Sequence, residues 1–135
     1  MKKLVILVLS FSTFQCFAQD IDQRLIANKG EAANKAYTYN KNSYNYMLFE
    51  LDSSYVVMNK ANLTKEEKAK VIKSHSIPEN AESAIGTSSF NLFSYGIKIS
   101  KTERQYFELS DKTILVVLST PEISKAFKTS SLNTK

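Results

Sequence analysis

The sequence predicts an α+β fold: an antiparallel sheet of about five strands, built as two hairpin-then-helix units, with two or three helices on one face. One observation is a regular alternation of apolar and polar residues from Phe93 to Ile99, which is typical of a half-buried antiparallel strand. A second is the T-x-x-E capping box at Thr64 and Glu67, which marks the start of a helix. Segregated strand and helix signals of this kind favour the α+β class.

The first eighteen residues have the three-part layout of a secretory signal peptide. Lys2 and Lys3 precede an apolar run from Leu4 to Leu9, and Ala18 occupies a position that signal peptidase inspects. The run is shorter than the roughly 20 apolar residues that span a bilayer. We therefore expect residues 1–18 to be cleaved and no stable membrane insertion to remain afterwards.

The remaining residues 19–135 are expected to form one small exported domain, soluble in a periplasm or outside the cell. Cys16 leaves a lipoprotein alternative open, although Phe14 and Gln15 are bulky for lipid processing. Cys16 is also the only cysteine. The mature chain would then be cysteine-free, without disulfides, a thiolate nucleophile or a thiolate-bound zinc ion.

The charge distribution argues against nucleic acid as a partner. The formal net charge is +5, which falls to +3 once Lys2 and Lys3 leave with the signal peptide. Lysines are scattered among acids, and Arg24 and Arg104 are the only arginines. Nucleic-acid surfaces concentrate Lys and Arg in one stripe and favour Arg for bidentate contacts.

The N-terminal part of the mature chain has helical signals. Asp20 and Gln23 resemble a capping box before a first helix, which Gly30 is expected to end. Ala32, Ala33, Ala36 and Tyr37 fit a second helical stretch. The Asn-rich segment after it is typical of a loop.

The central part is expected to hold a hairpin and a helix. Residues from Tyr44 to Leu51 alternate like a strand, the turn-like 52–54 follows, and Tyr55 to Met58 is a β-branched return strand. Thr64 begins the next helix, and Pro78 lies beyond its end.

The last part is expected to hold three strands and a helix. The long strand ending at Ile99 is followed by strands from Gln105 to Leu109 and from Thr113 to Ser119. Ile114 to Leu118 is apolar at every position, so this strand should be central and covered on both faces. Thr120, as N-cap before a proline, begins a final helix.

Two stretches of the chain resemble each other. Each has a Phe-Glu-Leu triplet, at Phe49 and at Phe107, then a turn, a β-branched strand and a helix opened by Thr64 or Thr120. One interpretation of this pattern is a duplicated ββα unit. The alternative is that turn and capping chemistry produce the likeness without any duplication.

The sequence contains few residues typical of catalysis. His75 is the only histidine and is expected to face solvent near a helix C-terminus. A G-x-S-x-G elbow and Gly-rich phosphate loops are absent, so no cofactor is expected. Glu50 and Glu108 occupy matching places in the two triplets, and as a carboxylate pair they offer the alternative of a small cofactor-free hydrolase.

The favoured function is a non-catalytic binding module, an inhibitor or accessory subunit, with another protein as partner. Four tyrosines carry this hypothesis, because tyrosine supplies a large contact area with a polar tip and loses little entropy on binding. They are Tyr37, Tyr39, Tyr44 and Tyr46. The sequence leaves the oligomeric state and the identity of the partner open.

Export can be tested by the mass of the mature protein. We expect mass spectrometry of the exported product to give a chain that begins at Gln19, because cleavage follows Ala18. A full-length mass in the membrane fraction, or a lipid attached to Cys16, would contradict this prediction.

Overall fold

The computed structural model describes residues 20–87 and 89–133, and the α+β class is confirmed. Over this part of the chain there are five α-helices and four strands. They are α1 (Gln23–Lys29), α2 (Glu31–Tyr39), α3 (Lys41–Ser53), β1 (Tyr55–Asn59), α4 (Lys65–Ala69), β2 (Val71–Ile72), β3 (Gln105–Glu108), β4 (Thr113–Val117) and α5 (Thr120–Leu132). The expected signal peptide and Cys16 lie outside the described residues.

The first two helices form where the sequence predicts them, but the cap of α1 differs. Asp22, not Asp20, is the N-cap, and its side chain accepts a hydrogen bond of 2.9 Å from the backbone N–H of Arg24. Gly30 separates α1 from α2, as expected. Its φ of 52° lies in a region that favours glycine, so the chain can turn sharply between the two helices.

The segment predicted as a strand from Tyr44 to Leu51 is instead part of α3. Tyr44 and Leu51 are buried on the same side of that helix, two turns apart. The side chain of Asn40 accepts a hydrogen bond of 3.0 Å from the backbone N–H of Ser43 and caps the helix. The strand prediction was wrong because the same apolar spacing fits both a helix and a strand, and Asn40 was assigned to a loop.

This helix also removes the predicted duplication. Phe49 lies within α3, whereas Phe107 lies in β3. The two Phe-Glu-Leu triplets therefore have different conformations, and β1 pairs with β4 rather than with a preceding strand. The likeness is confined to the sequence, since the N-caps also differ: Thr64 caps α4 and Ser119 caps α5.

The sheet has four strands in the order β1-β4-β3-β2. β4 pairs antiparallel with both β1 and β3, while the two-residue β2 pairs parallel with β3. The prediction of about five strands, all antiparallel, is therefore wrong in two respects. The sheet has four strands, and the pairing of β2 with β3 is parallel. The hairpin of β3 and β4 is confirmed.

The alternating segment from Phe93 to Ile99 does not form a strand. Leu92–Tyr95 is a 3₁₀-helix, and Gly96 ends it in the left-handed conformation with a φ of 72°. The Asn91 side chain accepts a hydrogen bond of 3.1 Å from the backbone N–H of Phe93. This local bonding competes with strand pairing. The apolar side chains then pack onto the sheet, and Leu92 and Ile97 are buried.

β4 is central and covered on both faces, as predicted, and Ile114, Leu115, Val116 and Val117 have no exposed surface. Leu115 and Val117 pack on one face against residues of the 77–97 segment. Ile114 and Val116 pack on the other face, against Leu63.

The sequence predicts helices on one face of the sheet, but α1–α3 do not lie there. They form a separate cluster around Leu25, Ala33 and Leu51, and Phe93 packs against it.

Both later helices have side-chain caps. The capping box of α4 is confirmed, with Thr64 N–H donating to Glu67 over 2.8 Å. The N-cap of α5 is Ser119 rather than Thr120, because the backbone N–H of Ser119 donates to Glu122 over 3.0 Å. Thr120 instead holds the start of the helix through its backbone N–H, which donates a hydrogen bond of 2.9 Å to the carbonyl oxygen of Ser100.

Burial of β4 can be tested by placing a charge inside it. We expect Val116→Asp to lower the free energy of unfolding by several kcal/mol, because an unpaired carboxylate would be buried, within a total stability of about 5–15 kcal/mol. Lys98→Asp changes an exposed residue and should shift stability by under about 0.5 kcal/mol. Urea unfolding measures both, and equal effects would contradict the assigned position of β4.

Candidate functional site

A largely apolar groove lies between α3 and α5 in the described part of the chain. Its volume is about 480 Å³, and it opens to solvent along the two helices. The groove is lined by Asn42, Ser43, Tyr46 and Met47 of α3 and by Ser124, Phe127, Lys128 and Ser131 of α5. We call it the α3/α5 groove.

Aromatic contacts fix the walls of this groove. The ring of Tyr46 meets the ring of Phe127 edge-on, with centroids 5.3 Å apart. The ring of Phe49 also packs against Phe127, with centroids 5.4 Å apart. The Tyr46 hydroxyl lies 3.2 Å from Ser124 Oγ, within hydrogen-bond distance. The groove is therefore held open by packed side chains and does not need to be formed by a ligand.

The groove lining contains one charged residue, Lys128, and no acidic residue. Hydroxyl groups of Ser43 and Ser131 supply polar contacts at its margin. Leu132, 72% exposed, follows Lys128 by one helical turn and extends the apolar surface beyond the groove. An apolar group with an acidic or polar flank would fit this arrangement.

The four candidate tyrosines do not form one surface. Tyr44 is mostly buried, its ring centroid is 5.0 Å from that of Tyr37, and its hydroxyl accepts a hydrogen bond of 3.0 Å from Asp22 N–H. Tyr37 and Tyr44 line a polar cavity of about 550 Å³ beside Asp22. Tyr46 lies in the α3/α5 groove, and Tyr39 projects from the end of α2 with 85% of its surface exposed.

Sequence reasoning missed the partners of Tyr46 in the groove. The contact of Phe127 with α3 joins residues far apart in the sequence, and no local pattern contains it. A helical interpretation of 41–53 would have placed Ser43, Tyr46 and Met47 along one side, three and four residues apart. Asn40, a residue type that is favoured at helix N-caps, was the signal in the sequence for the start of this helix.

Arg24 links the helical part of the chain to the loop before β3. Its guanidinium donates to Asp22 at 2.8 Å and to Asp52, at the end of α3, at 2.9 Å. It also reaches the carbonyl of Phe90 at 3.4 Å. The hydrogen bond from Arg24 holds the pKa of Asp22 below its ordinary value of 3.8, and these carboxylates raise the pKa of Arg24.

His75 is not a freely solvated residue, contrary to expectation. Its Nε2 lies 2.6 Å from the carbonyl oxygen of Glu108, and its ring meets Phe107 edge-on with centroids 5.7 Å apart. Its Nδ1 is buried and has no hydrogen-bond partner among the described residues. His75, Lys73 and Asp111 line a polar cleft of about 560 Å³ at the end of β3. β2 runs parallel to β3, and the chain after β2 continues towards the end of β3, where the imidazole contacts Glu108 and Phe107.

The proposed carboxylate pair is not brought together in one cavity. Glu50 forms an ion pair of 2.9 Å with Lys29 in the helical part, and Glu108 forms one of 2.5 Å with Lys60 beside the sheet. The cleft next to Glu108 is not lined by Glu50. The hydrogen bond from Lys60 lowers the pKa of Glu108, whereas a general acid at neutral pH needs a raised pKa.

Two further observations apply to residues 20–87 and 89–133. His, Asp and Glu side chains there do not form a group of three placed to hold a metal ion. None of the helices in this range combines the length and apolarity required to cross a bilayer.

The Arg24 network predicts a pH-dependent contribution to stability. The pKa of Asp22 is lowered on folding, so its contribution is present above the ordinary carboxyl pKa and is lost as the pH falls through the folded value. We expect Arg24→Met to lower the free energy of unfolding by about 1–2 kcal/mol near pH 7. The difference from the parent should shrink below about pH 4.

Urea unfolding across that pH range measures the effect. Lys35→Met is the matched control, because Lys35 forms an exposed i,i+4 pair with Glu31 and should change stability by under about 0.5 kcal/mol. A loss for Arg24→Met that is independent of pH, or equal losses for both variants, would contradict the prediction.

Comparison with known proteins identifies no relative. No family model, no curated protein and no solved structure matches the chain. The functional assignment therefore depends on the geometry of the groove and of the other cavities.

Proposed function

We propose that the chain is an exported, non-catalytic binding module, an inhibitor or accessory subunit, that takes apolar side chains of a partner protein into the α3/α5 groove. The observation that carries the proposal is the preformed apolar groove built on Tyr46 and Phe127. A groove of about 480 Å³ is within the range of roughly 300–1,000 Å³ typical of ligand sites.

The rigidity of the groove supports a binding role. Tyr46 is held by Phe127 on one side and by Ser124 through its hydroxyl, so little side-chain freedom remains to be lost on binding. Aromatic residues in preformed pockets are frequent hot spots of protein interfaces. Met47 adds a flexible, polarizable side chain that adapts to different apolar partners.

The charge of the groove indicates the chemistry of the partner. Lys128 is its single charged lining residue, and the formal net charge of +5 falls to +3 once Lys2 and Lys3 are removed on export. A partner segment with two or three apolar side chains followed by an acidic residue fits both features, because the acid would lie near Lys128. Complementary charge of this kind mainly sets specificity and association rate.

The titratable groups support a non-catalytic role. The groove is lined by neither a carboxylate nor an imidazole, the groups that most often serve as general acid or base. Outside the groove, Glu50 and Glu108 are each paired with a separate lysine. His75 is held against the backbone of Glu108 and the ring of Phe107.

Filling the groove tests this proposal without removing core side chains. We expect Ser131→Trp to reduce capture of the partner from a periplasmic or culture extract by at least about tenfold, because the indole would occupy the groove; a hot-spot contact is worth about 2 kcal/mol or more. Quantitative mass spectrometry of the captured proteins, relative to bait, measures the loss.

Thr129→Trp is the matched control on the opposite side of α5. Ser131 and Thr129 each donate a side-chain hydrogen bond to a backbone carbonyl in the preceding turn, at 2.9 and 3.0 Å. The two substitutions therefore have similar local effects on the helix, but Thr129 does not line the groove. Equal capture by the two variants would contradict the proposal, provided that both have the thermal stability of the parent.

A further inference from the structure

A second candidate for an interaction surface, separate from the α3/α5 groove, is the edge of the sheet formed by β1, which has no neighbouring strand on its outer side within the described residues. β1 lies at one end of the order β1-β4-β3-β2. Two backbone hydrogen bonds at its ends fix its hydrogen-bonding register. The N–H of Lys60 donates to the carbonyl oxygen of Lys112 at 2.7 Å, and the N–H of Leu118 donates to the carbonyl oxygen of Ser54 at 2.8 Å. Antiparallel pairs alternate, so the even-numbered residues of β1 bond to β4.

The odd-numbered residues of β1 therefore direct their backbone groups away from the sheet. These residues are Tyr55, Val57 and Asn59. Their outward N–H and C=O groups have no backbone partner within residues 20–87 and 89–133. An exposed row of this kind is a template for pairing with another strand.

The two edges of the sheet differ in how they are protected. The β2 edge is two residues long and flanked by Lys70 and Lys73, and both features discourage pairing with another chain. β1 has five residues, none of them charged and none of them proline. Its Val56 and Val57 are 44% and 43% exposed, on opposite faces of the strand.

We infer that β1 pairs with β1 of a second copy of this chain, antiparallel and centred on Val57. The two four-stranded sheets then join into one continuous sheet of eight strands. The N–H and C=O of Val57 bond to the C=O and N–H of the partner's Val57. This contact is isologous, so it closes on itself and gives a dimer rather than a filament.

Self-complementarity of the strand favours a second copy as the occupant. In this register Val56 lies opposite the partner's Met58, so exposed apolar surface meets apolar surface on one face. On the other face Val57 meets the partner's Val57, and Tyr55 lies opposite the partner's Asn59. Because the strand has no charge, two chains of net positive charge meet there without bringing like charges together.

A charge at the centre of the edge tests the inference. We expect the purified exported chain to show a concentration-dependent dimer in sedimentation equilibrium. Val57→Lys should weaken that dimer by at least about tenfold, because two lysines would lie side by side. Ile72→Lys on the β2 edge is the matched control, since Ile72 is 38% exposed and should leave the dimer unchanged.

A cysteine pair tests the register directly. Paired residues at the centre would have Cα atoms about 5.5 Å apart, within the range of about 4.4–6.8 Å that a disulfide bridges. Val57→Cys should therefore give an oxidised dimer. Asn59→Cys should not, because the two cysteines would be about 14 Å apart. The exported parent chain, which is expected to have lost Cys16, is oxidised in parallel as the cysteine-free control.

Three results would overturn the inference. One is a monomer at all concentrations up to about 1 mM, which would also be the result if a different chain or another segment of this one occupied the edge. The second is a dimer that Val57→Lys does not weaken although the variant keeps its thermal stability. The third is cross-linking of Asn59→Cys as efficient as that of Val57→Cys. Partner capture through the groove is measured separately and does not depend on this dimer.

Discussion

The burial of β4 on both faces is the constraint on which the rest of the fold depends. Four of its five residues, Ile114 to Val117, are inaccessible to solvent, so each face of the sheet requires its own cover. The 77–97 segment supplies one cover through Phe90, Leu92 and Ile97, and Leu63 contributes to the other. A strand with apolar side chains on both faces cannot belong to a sheet that leaves one of its faces exposed to water.

This constraint explains why long parts of the chain lack regular secondary structure. The 77–97 segment must place apolar side chains at irregularly spaced points on one face of a twisted sheet. Short 3₁₀-helices, such as Leu92–Tyr95, allow this within few residues. Their backbone groups are satisfied locally, as where the side chain of Asn91 accepts from Phe93 N–H. The Ser76 hydroxyl, which donates to the carbonyl of Tyr95, anchors the same layer.

The helical part has its own core and is joined to the sheet at a few points. Arg24 bridges α1, the end of α3 and the carbonyl of Phe90. α5 begins directly after the sheet and returns to α3 through the contacts of Phe127 with Tyr46 and Phe49. Because only a few side chains join α3 and α5, a groove remains between the two helices. The proposed binding site therefore lies between the helical part and the helix that follows the sheet.

Local chemistry determined several elements of this protein from the sequence alone. The break at Gly30, the capping box at Thr64, the β3–β4 hairpin and the central position of β4 each depend on residues close together in the chain. Tertiary structure decided the rest. The Tyr44–Leu51 segment fits a helix and a strand equally well by period, and the packing of α3 on α2 selects the helix. The groove around Tyr46 and the free edge of β1 are products of long-range packing and strand order, which no local pattern encodes.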